Sequence, residues 1–274
     1  MAETTLYAYT PSVTCALLAL FLFLGATAYH LWLLVRKRAY FFTSFVIGGL
    51  IETIGYVARA VSAHQKPNYT VMPYALQSLF ILIAPSLFAA SIYMILGRIV
   101  TLTDGDSRCL IRARWMTKIF VLGDVLAFLM QCGGGGILSS AKTSSTLKLG
   151  ENVIIVGLVV QILFFGFFVT VALVFHRRIT ANPTSTAMTL SVPWKRYLWV
   201  LYAASGLILV RCLYRVIEYA QGSTGSLQSH EAYAYVFDTA LMLIMMGIFV
   251  VYHPSQILDR GKNIGEMDRL YNRV

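Results

Sequence analysis

Seven apolar runs divide this chain, at about 13–35, 41–63, 73–97, 117–138, 152–175, 197–219 and 232–252. A hydrocarbon core about 30 Å thick requires roughly 20 consecutive apolar residues of helix, and each run meets that length. Composition agrees, because 58% of the 274 residues are apolar and only 12% are charged, about half the charged share of a soluble domain. Connections between runs are short. The expected fold is therefore all-α: a single bundle of seven transmembrane helices over residues 13–255, with an extracellular segment 1–12 before it and a cytoplasmic tail 256–274 after it.

The basic residues give an orientation. With the N-terminus outside and the C-terminus cytoplasmic, the inner segments hold Arg36, Lys37 and Arg38, then Arg98, Arg108, Arg112, Arg114 and Lys118. They also hold Arg177, Arg178, Lys195 and Arg196, and in the tail Arg260, Lys262, Arg269 and Arg273. Only Lys66, Lys142 and Lys148 fall outside, which is the asymmetry expected of a multi-span protein. The net charge of +10 thus reads as topology and as contact with anionic inner-leaflet lipid. It does not read as nucleic-acid binding, for which no soluble basic face exists. Met1 to Thr10 carries Glu3 and no basic residue, so the first run is taken as a retained span rather than a secretory signal.

Motifs that would give other chemistries are missing. No phosphate-binding loop of the Walker type occurs, no lysine stands in the apolar interior of a span to carry a retinal Schiff base, and no H-x-x-x-H occurs for zinc. Only His30 lies within a span, whereas His64, His176, His230 and His253 sit at ends or in loops. Cys15, Cys132 and Cys212 lie in spans and Cys109 in a loop, with no pairing suited to a disulfide or a metal. No cofactor is expected, and no nucleophile–base constellation suggests an enzyme. Asn68-Tyr69-Thr70 matches a glycosylation sequon. Asp104-Gly105-Asp106-Ser107 marks a turn in the 98–116 loop, and the 176–196 loop, with Asn182-Pro183 and Pro193, is expected to be irregular.

The informative residues are the charges inside the runs. Arg211, Arg215 and Glu218 stand at i, i+4, i+7, and the pattern recurs in Glu52, Tyr56, Arg59 and in Glu231, Tyr235, Asp238. Such spacing puts each trio on one helix face. A charge at membrane depth costs on the order of 3 kcal/mol on insertion scales, so these faces must meet protein or water. Asp124 adds a further carboxyl in the fourth run. Two readings stay open: interhelical ion pairs that fix which helices touch, or a hydrated cavity toward the outer leaflet that receives an amphiphile's head group. Pro85 interrupts the third run, removes one donor and leaves the carbonyl of Ile81 without its helical partner, so a kink that gates access is expected. Gly133, Gly134, Gly135 and Gly136 are expected to end the fourth span, with close helix approach or fraying. Gln77, Gln131 and Gln161 should bridge helices.

In order along the chain, Tyr9-Thr10-Pro11-Ser12, Glu52-x-x-Gly55-Tyr56-x-x-Arg59, and Ala84-Pro85-x-x-x-Ala89-Ala90-x-Ile92-Tyr93 resemble fungal RTA-like lipid-translocating exporters. Asp124 with Gln131-x-x-Gly134, Arg211-x-x-x-Arg215-x-x-Glu218-Tyr219, Glu231-x-x-x-Tyr235-x-Phe237-Asp238 and His253-Pro254 continue the resemblance over about residues 7–255. It implies a seven-helix fungal protein, often of the plasma membrane, linked to resistance to lipophilic toxins, sphingoid-base release, phospholipid asymmetry or porphyrin and haem movement.

The expectation is a translocator of lipids or amphiphiles, or a sensor or flippase regulator with a cytosolic or membrane protein partner. Glu52, Glu218 and Asp238 would meet the head group while Arg59, Arg211 and Arg215 hold those carboxylates or engage a phosphate. A seven-helix receptor is the competing class, although the third span ends Leu96-Gly97-Arg98 without D-R-Y and the seventh ends Tyr252-His253-Pro254 without N-P-x-x-Y.

Overall fold

The structure, a computed structural model, describes residues 7, 9–141, 143–190, 192–222, 225 and 227–255. The tail 256–274, Lys142 and most of the first eight residues lie outside the described residues. Seven helices are long and apolar enough to cross a membrane: α1 (Val13–Arg36), α2 (Thr43–His64), α3 (Val71–Leu102), α4 (Ala113–Ser140), α5 (Ser144–Ala181), α6 (Trp194–Ala220) and α7 (Glu231–Val251). There is no strand among the described residues. In hydrocarbon no water can bond a free peptide group, so each segment closes its hydrogen bonds internally.

Each helix packs on the next, α7 returns to α1, and α3 also touches α6 across the ring. Consequently α3 is the central helix, with 67% of its most apolar stretch buried. Its face carries Phe88, Ile92, Tyr93 and Leu96, all fully enclosed. Large apolar side chains such as Leu18, Phe21, Leu163 and Trp199 remain more than half exposed around the bundle. A soluble protein would bury such a belt, whereas lipid accepts it.

Several expectations from the sequence change. The helices overrun the apolar runs, so the 98–116 connection retains only a short turn region between Leu102 and Ala113. The 176–196 connection, expected to be irregular, is helical to Ala181 and again over Ser185–Thr189. Pro85 lies within α3, which is helical on both sides of it, as its place inside the third run requires. The four glycines do not end the fourth span, since α4 continues to Ser140.

Among these glycines only Gly134 faces a neighbour closely. A Cβ there would lie 2.8 Å from the Gly150 carbonyl oxygen and 2.9 Å from the Ile154 nitrogen, whereas at Gly133, Gly135 and Gly136 it would meet open space. Gly150 and Gly157 on α5 are equally tight against α4. Backbone atoms cannot step aside, so α4 and α5 meet through small residues, as helices in lipid commonly do. Gly134→Val should lower stability by about 1–3 kcal/mol through overpacking, while Gly135→Ala should leave it unchanged or raised. Thermal unfolding of the purified variants in detergent checks the contrast.

Candidate functional site

Glycines bring the polar face of α2 into the bundle. A Cβ on Gly49 would stand 2.3 Å from Thr27 Oγ1 of α1, and one on Gly55 would stand 3.2 Å from the Ile81 nitrogen of α3. Between and beyond them Glu52, Tyr56 and Arg59 are all buried, on one face as their spacing requires.

From the other side α6 supplies Arg211 and Arg215. The Arg211 guanidinium donates through Nε to Asp238 Oδ1, and its Nη2 donates to the Ile81 carbonyl oxygen at 2.6 Å. That carbonyl is the one Pro85 leaves without a helical donor. The arginine therefore repairs the proline gap in α3 and binds the carboxylate of α7 in one gesture, tying three helices together. Arg215 donates through Nη2 to Asp238 Oδ2 and through Nη1 to Glu218 Oε2 at 2.9 Å. Glu218 Oε1 also accepts from the Tyr214 hydroxyl at 3.3 Å.

The α7 backbone widens to a π-helix over Tyr235–Ala240, a geometry frequent at functional sites. It turns two successive side chains inward. Asp238 meets the arginines, while Thr239 Oγ1 pairs with the Tyr56 hydroxyl.

Glu52 stands apart from this satisfied network. It is fully buried, and neither carboxyl oxygen has a hydrogen-bond partner within the described chain. Asp238, Arg211 and Arg215 all act on it electrostatically.

A second polar cluster closes the N-terminal end of the bundle. Arg59 donates to Glu231 Oε1 at 2.9 Å, to the Tyr9 hydroxyl at 2.7 Å and to the Tyr235 hydroxyl at 3.2 Å. Glu231 in turn accepts the Ser12 backbone N–H at 2.9 Å, placing a carboxylate at the positive end of α1. Tyr7 donates to Ser62 Oγ at 2.8 Å and accepts from Gln77. Burial pushes the Tyr7 phenol above its ordinary range despite hydrogen bonds and the Arg59 charge that lower it, so it stays a donor.

Asp124 belongs to neither cluster. Its Oδ2 accepts from the Tyr93 hydroxyl at 3.0 Å, and Oδ1 has no partner among the described residues. Nearby on the same helices, Gln131 donates to Gln161 and Gln161 to Ser86 Oγ, both at 3.1 Å, so buried amides join α3, α4 and α5. Of the eight charged positions singled out in the sequence, five converge around α6 and α7, Arg59 and Glu231 form the end cluster, and Asp124 is separate. Sequence reasoning missed Tyr214, Ser62 and Thr239 as polar partners. Tyr214 carried a signal, lying one turn before Glu218, whereas nothing local marks Thr239. Among the described residues no three His, Cys, Asp or Glu side chains are placed to hold a metal ion.

Comparison with known proteins decides the family. Residues 45–261 match the family described as RTA1 like protein. The chain belongs to this RTA1-like family. Protein RTA1 of Saccharomyces cerevisiae is 37% identical over 210 residues, which cover 77% of this chain and 64% of the relative, so the match spans less than two thirds of that protein. The protoporphyrin uptake protein 1 of the same yeast is 37% identical over 220 residues, 79% of this chain and 70% of the relative. A more distant yeast relative, the sphingoid long-chain base transporter RSB1, is 25% identical over 260 residues, 82% of this chain and 67% of its own length. No solved structure matches this RTA1-like chain.

Proposed function

We propose that this RTA1-like protein is a translocator that moves lipids or other amphiphiles across a membrane, rather than an enzyme. The observation that carries the reading is the buried charge network of Arg211, Arg215, Glu218 and Asp238 beside the unpartnered Glu52. A membrane bundle held together by packing alone has no use for an unsatisfied carboxyl at its centre, and ionisable groups within spans mark substrate or ion pathways. Relatives named for sphingoid-base transport and protoporphyrin uptake support an amphiphilic substrate.

In this reading the N-terminus lies outside, the C-terminus lies in the cytoplasm and the protein resides in the plasma membrane. The head group enters beside Arg215 and Glu218, whose side chains keep 15% and 11% exposure while Arg211 and Asp238 keep only 1% and 2%. It then meets Glu52. Asp238 holds the two arginines in place, Arg59 with Glu231 closes the outer end, Asp124 serves the inner third, and α3 changes access at Pro85, where a side-chain bond from Arg211 replaces a backbone one.

The test is nucleotide-free translocation of fluorescent sphingoid-base and phospholipid analogues in proteoliposomes. Movement above empty vesicles, reduced at least tenfold in folded Glu218→Gln, is the expected result. A folded protein that moves neither class would replace transport with control of a separate flippase.

A further inference from the structure

We propose that Glu52 carries a proton in the resting protein and exchanges it, one for one, for the cationic head group of an amphiphile. The inference rests on the head-group reading above and adds to it an identity for the counter-ion and a source of driving energy.

Charge balance is the starting point. Arg211 and Arg215 are matched by Asp238 and Glu218 through direct ion pairs. Two positive and two negative groups leave nothing over. Glu52 is fully enclosed, and an ionised carboxylate there would be a fifth, uncompensated charge with no donor on either oxygen. Removing such a charge from water without a partner costs several kcal/mol, so the group stays neutral instead.

The groups that act on Glu52 are consistent with this. Tyr56, one turn along α2, is bonded to Thr239 rather than to the carboxyl. From α6 come Arg211 and Arg215, and from α7 comes Asp238, all three already mutually paired. On α1 the His30 ring bonds the Met246 carbonyl, and on α3 the Tyr93 hydroxyl is given to Asp124. Glu52 is thus the one member of the central network whose charge can change without breaking an existing bond.

A neutral acid is a poor partner for an ammonium group. When the cationic head group arrives, the Glu52 O–H proton leaves to water and the carboxylate pairs with the ammonium. One positive charge enters and one leaves, so the buried network stays neutral at every stage. Because the same oxygen atoms serve both cations, they cannot be held together, which is the condition for obligatory exchange. A proton gradient could then drive the amphiphile without nucleotide hydrolysis.

The experiment uses the full chain in detergent and a sphingoid base bearing a trimethylammonium head group, whose charge does not titrate. Infrared difference spectra of the free protein at neutral pH should contain a protonated-carboxyl band that Glu52→Gln removes and Asp124→Asn leaves. Binding of the probe should deplete that band and release about one proton per chain, so apparent affinity should rise about tenfold per pH unit. Glu52→Gln should abolish the proton release and flatten the pH dependence, and Glu52→Met, of similar length, replaces it if the glutamine variant fails to fold.

Absence of the Glu52 band, or binding that releases no proton, would overturn the exchange while leaving the head-group site standing. A band that is present with no binding of the probe would overturn both, and that pattern is distinct from the first two.

Discussion

Asp238→Asn should cost only part of a buried ion pair, and Glu52→Gln with Asp238→Asn should cost far more than the two single changes together. Removing the Asp238 charge leaves Arg211 and Arg215 facing Glu218 alone, a net buried positive charge. Glu52 lies within electrostatic reach of both arginines, so it can ionise and restore neutrality. The single variant should therefore lose less than the full penalty of a broken buried pair. In the double variant that response is gone, and an uncompensated buried charge costs about 3–5 kcal/mol, so its loss should exceed the sum of the two single losses. Glu52→Gln alone should be close to neutral in stability, because under the proposed exchange it replaces a protonated acid by an amide of the same shape. Thermal unfolding of the three proteins in detergent measures the coupling. Additive losses would mean that Glu52 does not compensate for Asp238.

The second large effect concerns the arginine that spans the proline gap. Arg211→Met should cost about 3–5 kcal/mol for the broken pair with Asp238. It should lose a further increment of about 1–3 kcal/mol for the buried Ile81 carbonyl left without a donor. Pro85→Ala supplies a backbone N–H to that carbonyl, so it should return the second increment in the Arg211→Met background. In the native background the same substitution should change little, since Arg211 already satisfies the oxygen at 2.6 Å. The difference between the two backgrounds is the measured quantity. If Pro85→Ala gives the same shift in both, the arginine is not serving the proline gap.

These two predictions link stability to mechanism through the same atoms. Arg211 is anchored on both α3 and α7, so any movement of Asp238 within the π-helical turn is felt at the Ile81 carbonyl, one turn before Pro85 in α3. Glu52 sits where that connection can be biased electrostatically.

The division between what was legible in the sequence and what was not follows the range of the interactions. Run length and composition specify the seven spans, because a helix in hydrocarbon needs only its own backbone bonds and enough apolar residues. The i, i+4, i+7 spacing places Glu52, Tyr56 and Arg59 on one face, because helical periodicity is local. Pro85 likewise announces an orphan carbonyl at Ile81 from covalent geometry alone. The same local logic misjudged Gly133 to Gly136. Glycine's helical penalty is small beside the cost of exposing peptide groups in a membrane, so α4 runs on to Ser140.

What the sequence by itself determined, then, is the set of helices and the charged face that each presents. The donor that answers the Ile81 carbonyl stands 130 residues away on α6, and the acceptor that Arg211 shares with Arg215 stands 27 residues away on α7. Only the crossing of the helices decides such partners, and the π-helical turn that aims Asp238 and Thr239 together has no local signature. The isolation of Glu52 is likewise a tertiary property: a carboxyl becomes uncompensated only when every neighbouring charge has already found another partner.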